Sequence, residues 1–380
     1  MILWPALLLL FTLFIFILPL IPGVIEMVRR TDVEPLRVSQ AYDSNPFHFA
    51  EGFRTFIRNQ LGDVHSAQTY NGRLPDGAKY QLIGEKGVPN LESTAANNKL
   101  ILSAHSLTLP AGELFEMEVY GAQDVLTGER SQFRALLADG ALRIRENCTI
   151  LRWTHSNGEM AVGRHSKLFG RATSNHSIIL GDDVQFERLH APRILTSSAQ
   201  SSIPLTPAPN LTMLEDLSGV KIQSATRWVL KGGLDFPARY RFTGDIVAQD
   251  NASIGDQAHI KGSIKCNAPN DAVYDPQKTS LADYANKYPD RFDIGNKVHI
   301  EGSVVSSGDL FIGEQCKIMG PVIAEGLLVI GAGSVIGSPE HPTTVTAPHI
   351  IIESGCIVHG TLWATESGVV RAARQEGMAA

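Results

Sequence analysis

Ile294-Gly-Asn-Lys-Val298-His-Ile300-Glu-Gly302 returns as Ile312-Gly-Glu-Gln-Cys316-Lys-Ile318-Met-Gly320 and begins again as Ile330-Gly-Ala-Gly-Ser334, each time after 18 residues. A short fixed period of this kind marks a coiled solenoid, in which each repeat buries its apolar edge only by stacking on its neighbours. Working outward, Ile254-Gly255 precedes Ile294 by one turn plus 22 residues, and Ile352-Glu353 follows Ile330 by one turn plus 4. Gly262, Gly302, Gly320 and Gly360 come eight residues after their aliphatics, which suits corners where the backbone turns sharply or takes a positive φ. An amphipathic helix needs apolar residues at a spacing near 3.6, and runs rich in Val and Gly are poor helix formers. The ladder therefore reads as strands of a parallel β-helix.

A second ladder lies upstream. Ile144, Val162-Gly163 and Leu180-Gly181 are again 18 apart. The two ladders also begin alike. Leu109-Pro110-Ala111 with Phe115, Val119 and Thr127-Gly128 matches Phe236-Pro237-Ala238 with Phe242, Ile246 and Ile254-Gly255 at a constant offset of 127. The expected fold is all-β: a parallel β-helix in two duplicated segments, preceded by a transmembrane α-helix. The pattern leaves open the handedness and whether the two segments form one stack.

The membrane helix is expected from Ile2 to Ile21, an apolar run interrupted by Pro5, Thr12 and Pro19. Twenty helical residues rise about 30 Å, the thickness of a bilayer's hydrocarbon core. Leu3, Trp4, Leu8, Phe11, Phe14, Phe16 and Leu18 would face lipid. No basic region precedes the run and no small-residue cleavage pattern follows it, which favours an anchor over a cleaved signal peptide. Arg29, Arg30 and Arg37 come after the run, so the positive-inside rule puts the C-terminal part in the cytoplasm, as a single-pass protein.

The 380 residues carry a net charge of −6 and 43% hydrophobic residues. Such a balance gives no electrostatic reason to expect nucleic acid as a partner. Cys148, Cys266, Cys316 and Cys356 are too scattered for a disulfide framework and include no zinc-type pair. Three of them, Cys148, Cys316 and Cys356, share one repeat position four residues after the ladder aliphatic, where small side chains pack.

Outside the ladders, Asn45-Pro46 opens a stretch in which Phe49, Phe53, Phe56, Ile57 and Leu61 share a helical face. That face suits packing on the end of the first segment, with a membrane-surface helix as the rival. Residues 62–98 are polar and irregular, with turn signals at Gly72, Pro75-Asp76-Gly77 and Gly87-Val88-Pro89. Within the insertion 268–291, Ser280 caps a helix whose Leu281, Tyr284 and Tyr288 share a face before Pro289. Either a surface loop or a contact-bearing element fits it.

Catalytic signals are sparse. His259 and His299 occupy the same repeat position and stack about 4.8 Å apart if the insertion loops out. Such a pair could bind metal or act as a general base, but Lys317 and Val335 follow at that position, so the ladder is short and faces solvent. Asp182-Asp183 follows Leu180-Gly181 and is explained by a corner. No phosphate loop, nucleophile elbow or dinucleotide motif is present, and no cofactor is expected.

Two families share the periodicity. Taken in sixes, Val298-His-Ile300-Glu, Leu310-Phe-Ile312-Gly, Cys316-Lys-Ile318-Met and Leu328-Val-Ile330-Gly are similar to the hexapeptide repeats of left-handed β-helix acyltransferases. In those the residue two before the aliphatic is usually small, whereas here Val, Leu and Ile appear beside Cys and Ser. The chain more closely resembles bactofilins, polymer-forming cytoskeletal proteins of bacteria. Ile260-Lys-Gly-Ser-Ile264, Ile300-Glu-Gly-Ser-Val304 and Ala347-Pro-His-Ile-Ile-Ile352-Glu-Ser-Gly-Cys356-Ile-Val-His-Gly360 carry that likeness. It covers roughly residues 240–365, with a weaker echo over 115–195. The resemblance implies a compact β-helix without bound nucleotide, end-to-end self-association, and scaffolding at the bacterial inner membrane among envelope or polysaccharide-assembly proteins. Bactofilins usually carry one β-helix between short tails, whereas this chain has two ladders and insertions.

The resulting organisation is a transmembrane anchor (1–24), a juxtamembrane segment with one amphipathic helix (25–98), a first β-helix (99–196), a linker (197–226), a second, bactofilin-like β-helix (227–367) and a tail (368–380). An uncapped β-helix end exposes unpaired backbone groups and invites stacking. Ile357, Val358, Leu362 and Trp363, on the last clear turn, are the expected self-association end. The primary expectation is a membrane-anchored, non-enzymatic scaffold. The alternatives are a β-helix enzyme acting on envelope sugars through His259 and His299, and a non-polymerising adaptor subunit of a membrane complex.

Overall fold

The computed structural model describes residues 3–18, 45–62, 70–84, 96–197, 211–213, 220–224, 227–268, 272–275 and 278–372. The chain divides into two units, Met1–Asn45 and Pro46–Ala380. In the first, helix α1 spans Leu3–Ile17, 15 residues. That length rises about 22 Å, short of the hydrocarbon thickness of about 30 Å. Among the described residues no helix is long and apolar enough to cross a membrane. Residues 19–21, the end of the expected span, lie outside the described residues, as do Arg29, Arg30 and Arg37. Trp4, Leu8, Phe11, Phe14, Phe16 and Leu18 are exposed.

The second unit is a parallel β-solenoid. A typical turn contributes three short strands, as in Leu310–Ile312, Lys317–Ile318 and Val322–Ala324. Each pairs in parallel with its equivalents one turn before and after. Successive side chains on a strand point to opposite sides, so Leu310 and Ile312 go in while Phe311 stays near the surface. The eight ladder residues Ile144, Val162, Leu180, Ile254, Ile294, Ile312, Ile330 and Ile352 are all buried in one continuous core. They are in register from turn to turn within each segment.

The duplication is reproduced in the packing. Gly128 lies against the backbone of Pro110-Ala111, and Gly255 lies against that of Pro237-Ala238, so closely that a Cβ at either position would overlap it. Two of the expected glycines take positive φ, Gly262 at 158° and Gly360 at 114°, and a further left-handed corner lies where the glycine pattern gave no signal. It falls three residues after the ladder position, where Asn147, His165, Asp183, Gln257, Lys297 and Gln315 have φ between 55° and 60°. Glycine takes that place at Gly112, Gly333 and Gly355. Gly302 and Gly320 serve close approach of adjacent turns instead.

The shared cysteine position has a hydrogen-bonding role. Cys316 Sγ donates to Gly295 O at 3.0 Å, Cys148 Sγ to Gly128 O at 3.0 Å and Cys356 Sγ to Gly331 O at 3.2 Å. Ser334 Oγ makes the same bond to Gly313 O and accepts from Cys316 N. The small side chain at this position thus donates to the carbonyl one residue after the ladder position of the preceding turn. Burial pushes the Cys316 and Cys356 thiols up to about 12. All four cysteines are free and buried.

Three boundaries differ from expectation. Lys79–Ile83 pairs in parallel with Leu100–Ser103, so the solenoid starts inside the stretch expected to be irregular. Tyr70–Arg73 closes that end as an antiparallel edge strand. Val220–Ser224, within the expected linker, closes the outer end of the second segment in the same way on Arg227–Leu230. The last strand, Ile357–Arg371, runs past the expected boundary into the tail, and its Val370 is fully buried against Ile352.

Two elements cover solenoid faces. Helix α2, His48–Leu61, packs Ala50 and Ile57 with Tyr80, Leu82, Leu100, Leu102 and Leu137; it lies along a side face across several turns rather than on the end, and Phe49 and Phe56 of the expected stripe stay exposed. Helix α3, Leu281–Lys287, is capped by Ser280, whose side chain accepts from Asp283 N. It buries Tyr284 with Tyr274 over Leu327, Val329 and Ile351. The insertion is therefore a lid on one flat face rather than a free loop, and it leaves the solenoid at a corner without interrupting the pairing of Ile254 with Ile294.

The two segments form one stack, joined at their C-terminal ends. Strand Ile357–Arg371 pairs in parallel with Thr343–Glu353 on one edge and antiparallel with Gln185–Thr196 on the other. The apolar core runs through this seam without a break.

Candidate functional site

The end expected to self-associate is the inside of that seam. Ile357 pairs with Leu195, Val358 with Ile194, Leu362 with Leu189 and Trp363 with Arg188. The correction has a simple cause: Ile357–Arg371 offers a long row of unpaired backbone groups, and the matching edge is supplied by the same chain. The seam is finished by side chains. Thr196 Oγ1 accepts from Cys356 N at 2.8 Å and donates to Glu353 O at 2.8 Å. This reproduces, across an antiparallel junction, the bond that Ser334 makes within the ladder. His190 Nδ1 and Thr361 Oγ1 lie 2.8 Å apart, and the Arg188 guanidinium sits 4.6 Å from the Trp363 ring centre. Gly368 is required because a side chain there would run into the Phe186 ring.

His259 and His299 do come together. Their rings are 4.6 Å apart and nearly parallel at 5°. The column reads Arg241, His259, His299, Lys317 and Val335 on successive turns. His259 Nε2 lies 3.0 Å from Glu301 Oε1. Burial first, then the neighbouring His259 and Lys317, lowers the His299 imidazole to about 4. A neutral imidazole beside a carboxylate-paired one is a proton acceptor, but nothing else converges on it. Among the described residues no group of three or more His, Cys, Asp and Glu side chains is placed to hold a metal ion.

The nearby open cleft of about 300 Å³ is lined by Asp256, Gln257, Asn296, Lys297, Glu314 and Gln315. Two of its polar side chains are engaged in building corners: Asp256 Oδ1 accepts from Asn296 N, and Asn296 Oδ1 from Glu314 N. Asp182 and Asp183 are likewise corner residues, the first paired with Arg164 at 3.3 Å.

Sequence reading missed a polar cluster beneath α2. His155 Nδ1 is 2.8 Å from Thr173 Oγ1, and its Nε2 is 3.1 Å from Asn157 Oδ1. Arg54 on α2 pairs with Asp139 and donates to Asn157. Phe47 lies edge-on to both His155 and His190 at 5.5 Å. His155 and Thr173 occupy outward positions of their strands, where polar side chains ordinarily meet water, and Asp139 and Asn157 follow just after strand ends. Both pairs recur at the 18-residue period, but nothing in that period shows that a helix covers them. Burial lowers the pKa of both His155 and His190.

The sign of the acid response follows. His299 has a folded-state pKa of about 4, whereas an unfolded histidine titrates near about 6.5. Between those values the unfolded chain binds a proton that the folded chain does not, so stability falls as pH drops through this window. His155 and His190 act in the same direction. We expect His299→Gln to flatten the dependence by about 1 kcal/mol, after discounting the shift for solvent screening. Urea midpoints at pH 7 and pH 5 for both proteins measure this; identical slopes would contradict it.

Compared with models of known protein families, with curated proteins and with solved structures, the chain matches none.

Proposed function

We propose that this protein is a membrane-tethered β-solenoid scaffold that docks partner proteins on its side faces and does not polymerise through its C-terminal end. The observation that carries the reading is strand Ile357–Arg371, paired on both edges within one chain. A β-helix end is sticky because its backbone groups and apolar rung are unpaired. Here two such ends satisfy each other, and both outer ends finish in short antiparallel strands. What remains for partners is the length of the faces.

The apolar α1, with exposed Trp4, Leu8 and Phe11, supports the tether. The Gly-rich windings that resemble bactofilins support a scaffolding role in cell-envelope or polysaccharide assembly, at the inner membrane with the solenoid cytoplasmic. Light scattering of the full chain in detergent across a concentration series tests the first part. The expected result is one discrete species at every concentration. Filaments, or a mass that grows with concentration and is lost on replacing Trp363, would restore end-to-end polymerisation.

A β-helix enzyme is the second reading, favoured by the stacked imidazole pair of His259 and His299. The double substitution His259→Ala with His299→Ala separates the two, since a scaffold keeps its localisation and its partners without those rings.

A further inference from the structure

Among the described residues of the unit Pro46–Ala380, four of the seven exposed large apolar side chains lie on one surface: Phe49, Phe56, Leu151 and Phe169. They are contiguous. Leu151 and Phe169 are bulge residues on adjacent turns, between the paired positions Ile150–Leu168 and Trp153–Arg171. Phe49, Trp153, Leu151 and Phe169 line an open groove of about 430 Å³. Phe53 continues the surface by contacting Trp153 at 5.6 Å, and Phe56 stacks on Phe53 at 6.3 Å. The cations around it are Arg152, which lines the groove, and Arg171, whose guanidinium is 5.4 Å from the Phe49 ring. The carboxylate in the groove, Glu187, is engaged with the Gly170 amide at 2.7 Å.

We propose that this groove is a membrane-contacting surface, seated on a bilayer containing anionic lipid. The proposal rests on the tether reading above. Three features select a bilayer. Residues 19–44 join the apolar α1 directly to the helix that carries Phe49 and Phe56, so this is the surface closest in sequence to the tether. Its composition, aromatic and aliphatic side chains rimmed by arginine, is that of a lipid interface, where rings lie at headgroup depth and guanidinium groups meet phosphates. Finally, contiguous exposed apolar surface on a soluble fold marks a binding site, and α2 spends its other face on the solenoid. The interfacial role considered for the helical stripe thus belongs to the side of α2 that faces away from the core.

The test uses the full chain. Its four native cysteines are buried, so single cysteines introduced as Phe169→Cys, Leu151→Cys and, as a control on the second segment, Lys265→Cys take an environment-sensitive fluorophore selectively. Each labelled chain is reconstituted with vesicles of zwitterionic lipid, with and without phosphatidylglycerol, carrying a quencher on the acyl chain. We expect several-fold stronger emission at 169 and 151, quenched by the lipid-borne quencher, and no change at 265. Arg152→Glu together with Arg171→Glu should weaken the quenching several-fold. If the chain floats with the vesicles but 169 and 151 stay unquenched, the proposal fails and the tether stands. A rise in emission that the lipid quencher does not touch means burial against protein, which also overturns it. A chain that does not float at all removes the tether reading and this proposal with it.

Discussion

Replacing Leu362 by Asp is expected to open the seam and turn a discrete protein into one that associates. Leu362 is fully buried, in register with Val345 on one side and Leu189 on the other. Truncating such a leucine costs about 2–5 kcal/mol, and a carboxylate left unpaired among aliphatics costs several more. A domain's whole stability is about 5–15 kcal/mol. In a stacked fold the damage stays local, because each turn is held by its nearest neighbours. The two segments should therefore part while each keeps its own ladder, exposing Gln185–Thr196 and Ile357–Arg371 as free edges. Light scattering should show mass rising with concentration. Hydrogen exchange should show protection lost first at those two strands and kept at Ile294 and Ile312. Leu362→Val, which preserves an apolar contact, should stay discrete. A variant L362D that remains discrete with its seam amides protected would show that the seam does not depend on this contact.

Ile312→Ala is the second large effect, and it tests the ladder itself. Ile312 lies between Ile294 and Ile330 with only 3% of its surface exposed. We expect a loss of about 3–4 kcal/mol, from lost burial and from the cavity that adjacent turns cannot close. For a unit of this size that corresponds to a fall in Tm of about 5 °C. Lys317→Ala, on the next strand of the same turn but facing outward, should stay within about 0.5 kcal/mol. Thermal unfolding of the two variants decides the matter. Equal, small shifts would mean that Ile312 does not carry the core.

How far the site could be read ahead of the fold depends on whether its residues repeat. His259 and His299 were legible because both fall at one offset in an 18-residue turn, and parallel stacking converts equal offsets into contact. The lid was half legible. Ser280 and the spacing of Tyr284 and Tyr288 are local signals for a helix, but the face that Tyr284 covers is formed by Leu327, Val329 and Ile351. The glycine signal found part of the positive-φ geometry, at Gly262 and Gly360, and missed the rest. The same geometry recurs without glycine at Gln257, Lys297 and Gln315, while Gly302 and Gly320 answer to backbone crowding between turns.

The amino-acid order alone determined the period, the strand alternation and the identity of the buried aliphatics, since all three are local properties that one turn imposes on the next. It also carried the duplication, through lead-ins whose proline and glycine make equivalent contacts in each segment. Only the tertiary structure decided that the segments meet at their C-terminal ends. The seam between Gln185–Thr196 and Ile357–Arg371 joins side chains as far apart as His190 and Thr361, 171 residues along the chain. Among the described residues it occurs once, and it pairs antiparallel two strands that each run parallel to the turns of their own segment. A contact made once leaves no period to read, and any edge of matching length and apolar pattern satisfies the same backbone groups. Which edge does so is a choice that only the assembled stack can make.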